Sequence, residues 1–176
     1  MNVIFKNTIR FVLLVFVQSF VLNKISLHQM ITPYVYFIFI FWLPFSINRT
    51  LLLILGFALG YTVDSFQHHP GFHASACVLI AYLRPFLLNL LITQDNHELS
   101  YEEPSYRSLG GMMPYLVYTG ALILIHNSWL FLLEAWQLAD VYYFIFKTIL
   151  STIISFILLF IIEIGFSRKQ KYRTNA

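Results

Sequence analysis

Apolar residues run along this chain in long uninterrupted blocks separated by short polar corners, with no alternation of the kind a β-barrel needs. Blocks of about 16 to 25 residues with few or no charges match the length that crosses a hydrocarbon core of about 30 Å. Six such spans are read, at about 7 to 23, 31 to 46, 49 to 66, 72 to 92, 111 to 133 and 141 to 166. The first follows Lys6 and Arg10 and stays uncleaved, because Gln18, Asn23 and Lys24 stand where a small-x-small site would have to be. Pro33 opens the second span at a position a helix tolerates, and Pro44 with residues 46 to 49 ends it. The third turns over at Gln67-His68-His69-Pro70-Gly71. The long connection, 93 to 110, holds Asp95, Glu98, Glu102, Glu103 and Arg107 and is expected to lie in water. The expected fold is an all-α integral membrane protein, a single polytopic domain over residues 1–176 built as one bundle of six transmembrane helices.

Composition agrees: 59% of the 176 residues are apolar and 11% charged, about half the charged share of a soluble domain. No soluble catalytic domain is expected at either end. Cys77 is the only cysteine, which excludes an intramolecular disulfide and a multi-cysteine metal site. Charge placement sets an expected orientation. With both termini inside, the cytoplasmic side holds Lys6, Arg10, Arg49, Arg107 and the tail residues Arg168, Lys169, Lys171 and Arg173, against Lys24 outside. The loop 93–110 and the basic tail 167–176 are then cytoplasmic, with Trp129 and Trp136 at the outer boundary and Trp42 at the inner one. The tail reads as a stop-transfer flank next to anionic lipid. Basic residues scattered at membrane boundaries exclude nucleic acid as a partner.

Charges within spans need a reason. Gly56, Gly60 and Asp64 recur every four residues, so they share one helix face, and the Gly-x-x-x-Gly pair suits close helix packing. His73, Cys77, Ala81 and Arg84 share a face of the fourth span. Depth separates Asp64 from Arg84 by about 15 Å at 1.5 Å per residue. Glu163 is the level partner for Arg84, which can also snorkel, and Lys147 is level with Asp64 and Glu134. Lys147, Ser151 and Ser155 make a polar stripe, and His126 reads as a hydrogen-bonded core histidine. His69 and His73 are four apart and with His68 invite a metal, but Pro70 and Gly71 lie between them and Asp64 is the one further ligand near in sequence. A triad of Asp64, Ser65 and His68 or His69 would sit consecutively in one corner, and no P-loop, dinucleotide fingerprint, zinc spacing or catalytic carboxylate pair occurs. No cofactor or metal is expected.

The run Gly56-Phe57-x-x-Gly60-x-x-x-Asp64, then Pro70-Gly71-x-His73-Ala74, then Tyr82-Leu83-Arg84-Pro85-Phe86 resembles the MreD family of rod shape-determining membrane proteins in its Bacteroidetes-type form. The likeness extends to Pro104-Ser105, Leu109-Gly110, His126, Phe131-x-x-Glu134 and Ser151-Thr152, so it covers nearly the whole chain; the His68-His69 pair departs from it. The resemblance implies an inner-membrane, multi-pass protein without enzymatic activity. Its implied partners are MreC directly and, through the elongation complex, RodA, the penicillin-binding transpeptidase and MreB, so that side-wall peptidoglycan synthesis is positioned and cell shape kept. It also implies a fold similar to the six-helix substrate-binding subunits of energy-coupling-factor vitamin importers. Three readings follow. The first is a scaffold whose Gly56 and Gly60 face receives the single span of MreC. The second is a small-molecule or lipid carrier with a cavity lined by Asp64, His126 and Lys147. The third is an intramembrane enzyme based on the His68 to His73 corner.

Overall fold

The computed structural model describes residues 3–24, 32–67, 71–92, 103–135 and 141–165. The His68-His69-Pro70 corner, Trp136, most of the 93–110 loop and the basic tail lie outside the described residues. Helix α1 (Val3–Phe16) continues through a π-helical turn at Val17–Val21 and a 3₁₀ turn at Leu22–Lys24. It is followed by a single helical turn, α2 (Ile38–Phe41), and then by α3 (Arg49–Gln67), α4 (Phe72–Leu91), α5 (Met112–Ala135) and α6 (Val141–Gly165). The first of these, taken as Ile4–Lys24, and α3 to α6 are each long and apolar enough to cross a membrane. Helices α3 to α6 pack in chain order, each on the next, and α1 lies against α2 and α3. The result is an all-α, multi-pass membrane bundle.

The segment expected as a second spanning helix is something else. Residues 32–48 hold one helical turn, and Tyr34 to Leu43 are buried throughout the interior of the bundle. Pro33 and Pro44 bracket the run, and each disfavours helix in the residue before it. Tyr34-Val-Tyr-Phe-Ile-Phe-Ile-Phe has no polar face, so every side of it seeks an apolar neighbour. Irregular backbone at membrane depth is tolerated only where protein surrounds it and meets its polar groups. Side chains of the neighbouring helices do this. Ser151 and Ser155 of α6 accept the N–H of Thr32 (3.2 Å) and Tyr34 (2.9 Å). Buried Gln18, in the π turn, accepts the Val35 N–H at 2.9 Å and donates to the Pro33 carbonyl at 3.1 Å. The expected polar stripe on α6 is thus half of a brace for this segment.

Two further expectations are corrected by packing. Trp42 does not sit in an aromatic belt; it is buried, with the Arg10 guanidinium 5.3 Å from its ring centre. The 103–110 part of the long loop is not a solvated tail of the connection. Pro104, Ser105, Ser108 and Leu109 are buried there, and Glu103 pairs with Lys6 at 2.8 Å and Arg10 at 2.9 Å of α1. Burial alone would raise the Glu103 pKa, but hydrogen bonds and charge from Arg10 and Lys6 outweigh it and hold the carboxyl below the usual range.

Candidate functional site

Gly56 and Gly60 set the geometry of the α3–α4 hairpin. A Cβ on Gly56 would stand 3.1 Å from both the Ala81 Cβ and the Cys77 carbonyl oxygen. On Gly60 it would stand 2.5 Å from the Ala74 Cα and closer still to the His73 carbonyl oxygen. The Gly-x-x-x-Gly face is therefore occupied by α4 of the same chain. It cannot also receive the span of a partner, which corrects that part of the expected scaffold mechanism.

This close approach brings Asp64 to the start of α4. Its carboxylate accepts the backbone N–H of Gly71 (3.1 Å), His73 (2.9 Å) and Ala74 (2.9 Å). The first N–H groups of a helix have no partner within it, and a carboxylate there meets both the donors and the positive end of the helix dipole. Gly71 carries a φ of +93°, which glycine adopts without strain, and lets the chain re-enter helix at that point. Asp64 pairs with neither Lys147 nor Arg84.

At the other end of the same hairpin, Arg84 is buried. Its Nε donates to the Tyr118 hydroxyl at 3.2 Å and one Nη to the Leu43 carbonyl of the buried segment. It does not pair with Glu163, which instead accepts the Tyr115 hydroxyl at 2.9 Å, and it does not snorkel. A guanidinium has five donors and no acceptor, so unused carbonyls of irregular backbone suit it as well as a carboxylate does. The next residue, Pro85, removes an N–H from the interior of α4.

Between these ends lies a line of buried polar side chains. The Tyr36 hydroxyl is 2.8 Å from His73 Nδ1 and 2.7 Å from His126 Nε2. His73 Nε2 faces the Gln67 Oε1 at 3.1 Å. His126 Nδ1 meets the side-chain amide of Asn127, which reaches the Thr152 hydroxyl at 3.1 Å. His126 is hydrogen-bonded core in this sense, and it ties α5 to the buried segment.

The Gln67 and His73 end of this line opens on a cavity of about 190 Å³, also lined by Thr32, Tyr34, Glu134 and Lys147. Lys147 Nζ pairs with Glu134 at 2.6 Å and faces the rings of Phe131 (4.8 Å) and Tyr143 (5.5 Å). Of the three residues expected to line a ligand cavity, Lys147 lines this one, and Asp64 and His126 are not among its lining residues. Trp129, exposed on α5, donates to Ser75 of α4 at 3.2 Å. Among the described residues no group of three or more His, Cys, Asp or Glu could hold a metal ion.

Sequence reading passed over Gln18, Tyr36, Gln67 and Tyr118. Gln18 carried a usable signal, being a lone amide inside an apolar span. The tyrosines carried none, because an aromatic in an apolar run reads as core whether or not its hydroxyl is used. No protein-family model, curated protein or solved structure matches the chain.

Proposed function

We propose that the chain is a non-enzymatic scaffold of the MreD kind in the bacterial inner membrane, with both termini cytoplasmic. In this role it binds an MreC-like protein and, through the complex, helps RodA, the penicillin-binding transpeptidase and MreB to place side-wall peptidoglycan synthesis. One observation supports the reading most. The residues that carry the resemblance, Gly56, Gly60, Asp64, Gly71, His73 and Arg84, all act in one structural unit: close packing of α3 on α4, the cap of α4, and the anchor of residues 32–48. Such a set maintains a shape that others can bind. With the glycine face filled, the partner's span is assigned to α1, the least buried of the spanning helices, whose Phe5, Ile9, Val12, Leu13 and Phe16 are exposed. The test is affinity purification of the tagged chain from cells. Recovery of an MreC-like coiled-coil protein is expected, weakened by replacing Leu13 and Phe16 with Ala while the protein remains folded. Absence of any such protein from the wild-type eluate would sink the reading.

A second reading, a small-molecule carrier resembling the vitamin-importer substrate subunits, draws on the cavity beside Lys147. A ligand co-purifying in stoichiometric amount and transported into vesicles would favour it over the scaffold.

A further inference from the structure

We infer that the cavity beside Lys147 is a binding site for a small zwitterion, one ammonium and one carboxylate or phosphate on a short framework. The inference does not depend on the scaffold reading, which partner recovery tests separately.

The donor count carries the argument. The Lys147 side chain is 7% exposed, and its ammonium has three protons, yet among the described residues it donates one hydrogen bond, to Glu134. Its cation–π contacts with Phe131 and Tyr143 supply charge stabilisation but accept no conventional hydrogen bond. Gln67 Nε2 is also buried and, among the described residues, has no acceptor. Both side chains line the cavity. Buried donors without acceptors are costly, so the wall calls for an oxyanion. Charge balance then selects the rest of the ligand. Lys147 and Glu134 sum to zero, so a bare anion would bring one uncompensated charge into a weakly solvated site. Glu134 is 38% exposed and has a second carboxylate oxygen, so it can accept an ammonium at the cavity's open side. A volume of 190 Å³ suits an amino acid or a phosphoethanolamine group and is too small for a larger cofactor.

An amino acid from solution and the headgroup of phosphatidylethanolamine share this chemistry, and the test separates them. Thermal unfolding of the purified full chain in detergent is measured with the α-amino acids and with O-phosphoethanolamine, and native mass spectrometry follows release from nanodiscs containing phosphatidylethanolamine or phosphatidylglycerol. A saturable rise in Tm of about 5 °C at a hundredfold excess over Kd is expected for a soluble zwitterion, or selective retention of phosphatidylethanolamine for a lipid source. Inorganic phosphate or ethanolamine alone is expected to give no shift. The effect disappears in Lys147→Met and in Glu134→Gln. Thr32→Met, which adds bulk to the cavity wall and keeps the ion pair, also abolishes it and serves if either charge variant fails to fold. No shift with any zwitterion and no lipid selectivity, an equal shift with phosphate alone, or an effect that survives Thr32→Met overturns the assignment.

Discussion

The Asp64 carboxylate accepts the His73 backbone N–H at 2.9 Å, and that contact fixes where α4 begins relative to α3. The same carboxylate takes the N–H groups of Gly71 and Ala74, so one side chain satisfies three donors at a helix start. Asp64→Leu leaves the buried His73 and Ala74 donors without an acceptor, at about 1 to 3 kcal/mol for each donor left dry, while the exposed Gly71 can turn to water. Asp64→Asn retains one acceptor oxygen and is expected to lose less. Thermal unfolding in detergent should rank wild type above Asn above Leu, and an Asn variant as unstable as Leu would show that something other than the cap is at work.

Gly60 permits that geometry, because any Cβ there meets the α4 backbone and not the end of a flexible side chain. Gly60→Ala is expected to cost about 1 to 3 kcal/mol, as overpacking of a filled core does. At Gly56 the nearest atoms are 3.1 Å away, so Gly56→Ala should cost less. Equal unfolding temperatures for the two variants would contradict the packing described.

The five spanning helices were legible because apolar length reports transfer out of water. The same property misled over residues 31 to 46. Hydropathy does not distinguish lipid from a protein interior, and Tyr34 to Leu43 are apolar on every side, so a buried irregular segment reads like a short span. That misreading propagated to Arg84. Once residues 31 to 46 are taken as helix their carbonyls are already used, and Glu163 is the obvious partner left; in the fold the Leu43 carbonyl is open to the guanidinium. Depth arithmetic worked where both partners lie on regular helices, placing Lys147 level with Glu134, its ion-pair partner. For Asp64 it offered the same lysine, since a cap on the following helix depends on the turn at Gly71 and not on depth.

Removing the braces of the buried segment should loosen it selectively. Gln18→Leu leaves the Val35 N–H and the Pro33 carbonyl without their partner, and Ser155→Ala does the same to the Tyr34 N–H. Two bonds lost to the segment, and a third to Asn23 Oδ1 (2.8 Å), against one predict the larger stability loss for Gln18→Leu, about 2 to 4 kcal/mol against about 1 to 2. Amide hydrogen exchange is the direct readout, with Val35 and Tyr34 losing protection before the cores of α3 and α4. Uniform loss across the bundle would argue against a locally braced segment.

Glu103 ties the start of α1 to the residues preceding α5, and its depressed pKa gives this tie a pH dependence. A carboxyl with a folded pKa below its unfolded value contributes stability that is fully present above the unfolded value, near 4.5, and is lost as pH falls through the folded one. Unfolding temperature should therefore fall more steeply for wild type than for Glu103→Gln as pH drops from about 5 to 3, the two curves converging at the acid end. Parallel curves would mean that the pair with Lys6 and Arg10 contributes nothing measurable in solution.

Tyr36 has one hydroxyl proton and two imidazole nitrogens to satisfy. Facing Gln67 Oε1, His73 Nε2 must carry its hydrogen, so His73 Nδ1 accepts from Tyr36. Tyr36 can then only accept from His126, which places the His126 hydrogen on Nε2 and leaves its Nδ1 as an acceptor. The structure has Asn127 Oδ1 toward His126 Nδ1 at 3.1 Å and Asn127 Nδ2 donating to the Thr152 hydroxyl at 3.1 Å. With both rings neutral that amide must be reversed by about 180°, so that donors run in one direction from Thr152 through Asn127, His126, Tyr36 and His73 to Gln67. Nitrogen-15 chemical shifts of the two imidazoles should report the Nε2–H tautomer for both rings. In Tyr36→Phe, which strips a buried partner from both, unfolding should come about 1 to 3 kcal/mol earlier. A His126 found as the Nδ1–H tautomer in the wild-type protein would break the one-way chain at Tyr36.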